Sequence, residues 1–244
     1  VFQTFDVQTS PDQGPARLAQ LRGAMGDLDA FLVPRADVYQ GEYVAPCDER
    51  LAWLTGFTGS AGFCVVLKEK AGVFIDGRYR LQVLDQVAND FTPVHWPEIQ
   101  LSDWLREQLP KGGRVGFDPW LHTVAEIRGL KRQLGDIGFS FDPVNNLVDQ
   151  IWDDRPAAPE AKFTAHPASL AGETSAAKRA RLAEQISAGC HVITQPDSIA
   201  WLLNIRGTDI ERNPVPHAFA ILNSDGSVDL FARSGKADGV IDQL

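Results

Sequence analysis

The chain lacks long apolar runs and has few cysteines. Its longest apolar runs, such as Phe63 to Leu67, have the length of a strand, whereas crossing a bilayer takes about 20 apolar residues. The amino-terminal stretch from Val1 has neither the basic start nor the apolar core of a secretory signal. The three cysteines, Cys47, Cys64 and Cys190, are scattered and odd in number, which fits neither a disulfide framework nor a zinc cluster. We therefore expect three small buried or half-buried side chains in a reducing cytoplasm.

The chain also lacks an excess of positive charge. It has 23 Lys and Arg residues against 32 Asp and Glu residues, a formal net charge of −9. Nucleic-acid binding requires a basic face, so this balance predicts no nucleic-acid partner. The short apolar runs predict no membrane partner. The 44% hydrophobic content suits a packed globular core.

Hydrophobic periodicity predicts alternating helices and strands from Arg17 to Phe141. The predicted helices are Arg17 to Met25, Leu51 to Leu54, Tyr79 to Val87, Ser102 to Leu109 and Val124 to Leu134. The predicted strands are Phe31 to Val33, a hairpin of Phe63 to Leu67 and Val73 to Ile75, Thr92 to His95, Arg114 to Phe117 and Phe139 to Phe141. Alternation of this kind predicts an α/β domain, and the hairpin makes its sheet mixed.

A proline-rich polar stretch from Asp153 to Pro159 reads as a linker. We therefore predict two domains, residues 1–155 and 156–244. The second begins with a helix from Thr174 to Ala188, with Gly189 as its C-cap. A strand (His191 to Ile193), a short helix (Asp197 to Leu203) and a hairpin (Ala218 to Leu222, Val228 to Phe231) follow.

The second domain repeats the order of the first. Leu51-Ala-Trp-Leu54 matches Ile199-Ala-Trp-Leu202, and each precedes a hairpin. After its hairpin the first copy continues from Ile75 to the strand at Phe141, whereas the second has only Ala232 to Leu244, enough for one helix. The fold class predicted is thus two tandem α/β domains, each a mixed sheet flanked by helices, with the second truncated.

Familiar cofactor and metal motifs are not evident. The cluster from Gly56 to Gly62 has GxxGxxG spacing and leads into a strand, whereas a dinucleotide site needs GxGxxG and a helix. We interpret it as a tight turn. The histidines show no helical pairing of the kind that holds a metal, so we expect no metal and no cofactor on this chain.

The turn Asp76-Gly77-Arg78-Tyr79 is a candidate for function because it joins a strand to a helix. A cation at a helix N-terminus is disfavoured by the helix dipole, so Arg78 needs a partner. Asp76 can be that partner in a purely structural turn. Alternatively, Arg78 faces an anionic or carbonyl group of a substrate or of another domain.

A polar loop begins at Asn204 and continues through Val215. It is long for its position, and long loops in compact domains are often functional. It is equally consistent with a contact between domains or subunits. The candidate residues in this loop and just after it are Arg206, Asp209, Asn213 and His217.

Several segments together resemble the three-domain Xaa-Pro aminopeptidase (aminopeptidase P) family. The matching segments of the first domain are Glu42-Tyr-Val-Ala-Pro46, Trp53-Leu-Thr-Gly-Phe-Thr-Gly-Ser-Ala-Gly62, Ile75-Asp-Gly-Arg-Tyr79, Val115-Gly-Phe-Asp-Pro119, Asn146-Leu-Val-Asp-Gln-Ile-Trp152 and Arg155-Pro156. Those of the second are Ile199-Ala-Trp-Leu-Leu-Asn-Ile-Arg-Gly207 and Asn213-Pro-Val215.

The resemblance implies creatinase-like N-terminal domains, with the catalytic pita-bread domain absent from this chain. In the parent enzyme that domain would hold two metal ions, usually manganese, and would remove the N-terminal residue from short peptides with proline second. The parent would be a cytoplasmic homodimer. The domains seen here would shape the cleft and support dimerisation, with Arg78 as the cleft-facing candidate.

The sequence thus predicts a non-catalytic N-terminal region of an Xaa-Pro aminopeptidase. The alternative is a stand-alone peptide-binding or dimerisation module without catalysis, because the chain shows no nucleophile, metal set or cofactor loop.

Overall fold

A computed structural model describes residues 9–241. These residues form two compact units. The first unit comprises residues 9–36 and 47–156, and the second comprises residues 37–46 and 157–241. Each unit therefore gathers residues from separate parts of the chain.

The first unit contains six helices and six strands. Its helices are α1 (Gly14–Ala24), α2 (Arg50–Thr55), α3 (Gln82–Gln86), α4 (Leu101–Gln108), α5 (Val124–Leu134) and α6 (Leu147–Ile151). Its strands are β1 (Ala30–Pro34), β2 (Gly62–Leu67), β3 (Ala71–Ile75), β4 (Thr92–His95), β5 (Gly113–Phe117) and β6 (Phe139–Pro143). Their order along the chain confirms the predicted alternation.

The six strands form one mixed sheet in the order β4-β3-β2-β1-β5-β6. β2 runs antiparallel to both of its neighbours, and the other pairings are parallel. Helices cover both faces. One face packs against α1, α2, α3 and α6 through residues that include Leu21, Leu54 and Val148. The other packs against α4 and α5 through Trp104 and Ile127.

Local signals in the sequence set several helix boundaries. Thr123 and Glu126 form a capping box, in which Glu126 N donates to Thr123 Oγ1 at 3.2 Å and Thr123 N donates to Glu126 Oε2 at 2.7 Å. This is why α5 begins at the predicted Val124. α2 ends at Gly56, whose φ is +85° and whose Cβ, if present, would lie 2.3 Å from Gln86 O. Only glycine fits there.

A cluster of ion pairs ties α2 to α6. The buried Arg50 donates to both carboxylate oxygens of Asp149, at 2.6 and 3.0 Å, and to Asp48 at 2.9 Å. Arg155 adds a 2.7 Å ion pair to Asp149 and a 2.7 Å hydrogen bond to Cys47 O. Two-point contacts of this kind are the strong form of the arginine–carboxylate pair. The cluster therefore fixes α6 on α2.

We predict that Arg50→Met lowers the free energy of unfolding by about 2–3 kcal/mol, because it leaves partly buried carboxylates without their main donor. The same substitution at Arg106, whose ion pair with Asp103 is exposed, is the control and should cost less than about 1 kcal/mol. Urea denaturation of both variants measures the difference. Equal losses would show that the Arg50 cluster adds no particular stability.

The second unit contains α7 (Ala168–Ala171), α8 (Ser175–Ala183), α9 (Pro196–Leu203) and five strands. The strands are β7 (Thr164–Ala165), β8 (Cys190–Ile193), β9 (Ile205–Arg206), β10 (Phe219–Asn223) and β11 (Val228–Phe231). β11, β10 and β8 form one sheet in that order, and β7 pairs with β9.

All described pairings of the second unit are antiparallel. The first unit thus has the predicted mixed sheet, and the described strands of the second form antiparallel pairs. The order β11-β10-β8 corresponds to β3-β2-β1 of the first unit. The first sheet becomes mixed through β4, β5 and β6, the strands that follow its hairpin.

The repeat extends to side-chain contacts. In the first unit, Arg17 of α1 donates to Trp53 O at 2.5 Å, and its guanidinium lies 4.4 Å from the Trp53 ring centroid. In the second, Lys178 of α8 donates to Trp201 O at 2.8 Å, and its ammonium lies 4.5 Å from the Trp201 ring centroid. A cation thus holds the same tryptophan of the same helix in both units.

Three predicted elements of the second unit are wrong in detail. α8 ends at Ala183, because the following residues make i→i+3 turn bonds, and Gly189 lies in a later turn with φ +84° instead of capping the helix. Cys190 is exposed because it begins the edge strand β8, while Cys47 and Cys64 are buried as expected. Residues 232–241 form turns, not a helix; the rest of that predicted helix lies outside the described residues.

The predicted helix from Tyr79 to Val87 is a 3-10 turn, Gly77–Tyr79, followed by the short α3. The residues on its two sides differ in exposure. Val83 and Val87 face the core, whereas Leu81 and Leu84 are 81% and 66% exposed. Between residues 9 and 241, no helix has the length and hydropathy needed to cross a membrane.

Candidate functional sites

The carboxyl edge of the first sheet brings several polar groups together. β1, β3, β4, β5 and β6 run in the same direction, so their carboxyl ends meet at one edge. Ligands of open α/β sheets bind in the crevice outside such an edge. The predicted turn after β3 lies here, as does the start of β2.

The turn from Asp76 to Tyr79 is organised by its aspartate. Asp76 Oδ1 accepts a hydrogen bond from Arg78 N at 2.9 Å, which caps the 3-10 turn. The Arg78 guanidinium also contacts this carboxylate, with Nη2 at 2.6 Å from Oδ2. Asp76 is thus the partner of Arg78, yet the Arg78 side chain remains 64% exposed. The guanidinium is held in place and still faces solvent.

The glycine cluster lies beside this turn. Ser60 Oγ is 2.6 Å from Tyr79 Oη, and Arg35 donates to Ser60 O at 3.1 Å. Gly59 and Gly62 pack against the Phe57 ring so closely that a Cβ at either would lie within 3 Å of it. The cluster therefore serves as a close-packed turn that leads into β2.

The ion pair also affects the acidity of Asp76. Hydrogen bonds from the Arg78 side chain lower the pKa of Asp76 from its ordinary value, and the Arg78 backbone N–H acts in the same direction. A lowered pKa in the folded state means that the contribution to stability is present above the unfolded value of about 3.9. It is lost as the pH falls through the folded value. The turn keeps its charges throughout the neutral range.

We predict that Arg78→Gln raises the pKa of Asp76 toward its ordinary value, because the main stabilising cation is removed. Titration of the Asp76 carboxyl carbon by NMR measures the change. Arg80→Gln is the matched control, since Arg80 pairs with Glu98 instead. An unchanged Asp76 titration in Arg78→Gln would contradict the assignment of the ion pair.

The polar loop of the second unit is anchored by a buried carboxylate. Asp209 Oδ2 accepts hydrogen bonds from Lys236 Nζ and from His217 N, both at 2.6 Å. Lys236 is buried as well and donates further to Pro159 O at 3.3 Å. A buried ion pair thus links this loop to Lys236.

His217 lies in an aromatic cluster close to a second buried carboxylate. Its ring stacks on Tyr39 at 4.4 Å between centroids, and Nε2 is 3.9 Å from Asp37 Oδ2. Asp37 in turn accepts from Tyr39 N and Gly41 N, each at 2.9 Å. Residues 37–46 are thus anchored to the second unit.

The other two loop candidates make main-chain pairings. Arg206 belongs to β9 and pairs with Thr164, and Asn213 forms an isolated bridge with Ile210. Sequence reasoning did not identify Asp37, Tyr39 or Lys236 as members of the cluster. Their partners lie far away in the sequence, so no local pattern marks them.

Neither unit offers a site for a metal ion among the residues that the structure describes. No group of three or more His, Cys, Asp or Glu side chains is placed to hold one. The buried carboxylates Asp37 and Asp209 are engaged by backbone amides and by Lys236.

The comparisons with known proteins agree with this two-unit architecture. Two family models match, both described as Creatinase/Prolidase N-terminal domain, one over residues 17–151 and the other over residues 154–244. The chain therefore belongs to the creatinase/prolidase N-terminal domain family, and it carries two such domains in tandem.

Comparison with individual proteins shows which members of the family this chain resembles. The chain is 41% identical over 233 residues to "Probable Xaa-Pro aminopeptidase P" of Coccidioides posadasii, covering 90% of this chain and 38% of that protein. It is 41% identical over 219 residues to the protein of the same name from Ajellomyces dermatitidis, covering 84% of this chain and 35% of that one. The chain thus spans a little over a third of the length of these aminopeptidase P relatives.

A solved structure shows the same fold. The X-prolyl aminopeptidase of Caenorhabditis elegans, a cytosolic enzyme with a di-nuclear active site, matches with a TM-score of 0.87 at 30% identity. The match covers 92% of this chain and 40% of that one. The recognition of an aminopeptidase P-type N-terminal region is therefore confirmed.

Proposed function

We propose that this chain is the non-catalytic N-terminal region of an Xaa-Pro aminopeptidase, in which it shapes the substrate cleft and supports dimerisation. The parent would remove the N-terminal residue from short peptides with proline second, in the cytoplasm. The observation that carries the proposal is the match to aminopeptidase P relatives along 90% of the chain.

The chemistry would come from two metal ions, which we propose to be manganese, activating a water and polarising the carbonyl before proline. The described residues of this chain do not fit such ions, since their carboxylates and histidines are not clustered. The ions would therefore be held by another part of the parent protein. This chain would contribute contacts to the bound peptide and part of the cleft wall.

Arg78 is the residue proposed to face the cleft. Its guanidinium is held by Asp76 and is still largely exposed, at the sheet edge where α/β domains bind ligands. A preorganised guanidinium recognises carbonyl and carboxylate oxygens well. It would contact a peptide oxygen without taking part in bond cleavage.

The first test is the size and activity of the native protein. An antibody raised against this chain should detect a polypeptide far larger than 26.7 kDa, and that protein should cleave Xaa-Pro peptides when manganese is added. Peptides with alanine in place of proline are the control substrates. A native band no larger than this chain, without peptidase activity, would reject the proposal in favour of a non-catalytic binding module.

In the active parent protein, Arg78→Met should raise KM about tenfold or more, because a charged hydrogen bond is worth about 1.5–3 kcal/mol. The change in kcat should be smaller, since Arg78 touches no reacting atom. Arg106→Met, at an exposed ion pair in the same unit, is the matched control. An unchanged KM in Arg78→Met would show that Arg78 does not contact the bound peptide.

Exposed leucines next to the Arg78 turn support the proposed dimerisation. Leu81 and Leu84, at 81% and 66% exposed, stand on one side of α3. Large exposed apolar side chains grouped in this way are typical of interaction surfaces. We propose that they lie in the contact with another subunit or with the rest of the parent protein.

The double variant Leu81→Gln, Leu84→Gln should raise the dissociation constant of the dimer at least tenfold, because two large apolar side chains no longer bury apolar surface in the contact. Sedimentation velocity of the parent protein over a range of concentrations measures this. Leu170→Gln, at a leucine that is 73% exposed in the second unit, is the control. An unchanged dimer in the double variant would place the interface elsewhere.

A further inference from the structure

An exposed aromatic side chain, Trp96, lies at the carboxyl end of β4, directly beside the Arg78 turn. β4 pairs in parallel with β3, and the last pair in their register is Ile75 with His95. Trp96 N then donates to Ile75 O at 2.9 Å, so Trp96 and Asp76 are the next residues of two neighbouring chain segments. Trp96 is 37% exposed, at the sheet edge where α/β domains bind ligands.

The Trp96 ring and the Asp76 carboxylate belong to the same face of the sheet. The backbone of Asp76 is still extended, with φ of −81° and ψ of 174°, so its side chain lies on the face of Phe74, two residues earlier. Trp96 contacts Phe63, whose ring stacks on Phe74. Since the Arg78 guanidinium binds the Asp76 carboxylate, an aromatic surface and a positive charge lie side by side at this edge.

A row of aromatic rings holds Trp96 in one orientation. Trp96 meets Phe63 edge to face, with 6.5 Å between ring centroids and 76° between ring planes. Phe63 stacks on Phe74 at 4.4 Å, and Phe74 meets Trp104 edge to face at 5.6 Å. Stacked and edge-to-face pairs are the favoured geometries of aromatic rings. Because Phe74 and Trp104 are buried, the row fixes an exposed ring to the core of the first unit.

The turn after β4 is also tied to the Arg78 turn. Arg80, two residues after Arg78, forms an ion pair with Glu98. Within the second turn, Ile99 N donates to His95 O at 2.8 Å. Binding groups that are already held in place lose less freedom when a ligand arrives. The exposed indole and the exposed guanidinium are therefore preorganised together.

We propose that Trp96 binds the third residue of the peptide substrate, the residue after proline, and gives the parent enzyme a preference for a large apolar side chain there. The proposal rests on the proposed function, in which Arg78 contacts a peptide oxygen. The apolar side chain packs on the indole while the neighbouring guanidinium holds the main chain of the peptide. Trp96 is thus a specificity-determining residue and takes no part in bond cleavage.

The choice of the third residue follows from the geometry of an extended peptide. The proposed function places the metal ions, and with them the bond before proline, on another part of the parent protein, so this chain is left to contact the peptide beyond that bond. An extended peptide advances about 3.3–3.6 Å per residue, and neighbouring strands lie about 4.8 Å apart. An oxygen on Arg78 and a side chain on Trp96 therefore belong to the same residue or to adjacent ones.

Steady-state kinetics of the active parent protein test the proposal with two peptide amides, Ala-Pro-Phe and Ala-Pro-Gly, which differ only in the third side chain. We expect kcat/KM to be about tenfold higher for the phenylalanine peptide, because one apolar contact gives discrimination of at least about this size. Trp96→Ala should lower that value about tenfold and leave the value for the glycine peptide within about twofold. Trp96→Phe should retain part of the preference.

Two further variants separate this role from other effects. Arg78→Met should lower kcat/KM for both peptides alike, because both bring the same main-chain oxygen. Leu170→Ala removes an exposed apolar side chain of the second unit and should change neither value. Unchanged cleavage of the glycine peptide shows at the same time that the Trp96→Ala protein is folded.

Three results would overturn the proposal and leave the proposed function standing, because the parent still cleaves both peptides. The first is equal kcat/KM for the two peptides in the unaltered protein. The second is a Trp96→Ala variant that loses activity on both peptides alike, which would assign Trp96 a structural role. The third is a preference that persists in Trp96→Ala. A parent that cleaves neither peptide would reject the proposed function together with this proposal.

Discussion

Both units depend on one contact, a cation held between the last turn of a short helix and the face of its tryptophan. Arg17 and Lys178 each donate to the main-chain carbonyl of a tryptophan and lie over its ring. The carbonyl belongs to the last turn of the helix, where no partner within the helix remains. The contact therefore provides a donor for an unpaired carbonyl and places a positive charge at the negative end of the helix dipole. It also packs the two helices together.

The rest of the first unit builds on this helix pair. With α1 and α2 joined, their outer surfaces form a groove that α6 fills, and the Arg50 cluster locks α6 in place. The same helices pack against β1 and the start of β2. Because these strands belong to the sheet whose edge carries the Arg78 turn, the helix pair also positions that turn. Stability and the candidate site thus share one support.

The sequence predicted the elements of the first unit well, because their signals are local. The capping box at Thr123 and the strand-length apolar runs need no knowledge of the fold. The pairing of Asp76 with Arg78 is local too, and it was predicted as one of two alternatives. What local patterns could not supply were contacts between distant residues, such as Arg50 with Asp149 or Asp37 with His217. A helical period also does not say which side of α3 faces the core, where Val83 and Val87 are buried and Leu81 and Leu84 are exposed.

The anchoring of residues 37–46 in the second unit has a consequence for synthesis. Tyr39 is made early, yet its stacking partner His217 follows only near the carboxyl end of the sequence. A ribosome adding about 5–20 residues per second leaves a gap of roughly 10–40 s between the two. During that interval the tyrosine and the buried carboxylate of Asp37 have no finished surface to join. The first unit must therefore fold around an open loop, which closes only after the segment that carries His217 has been made.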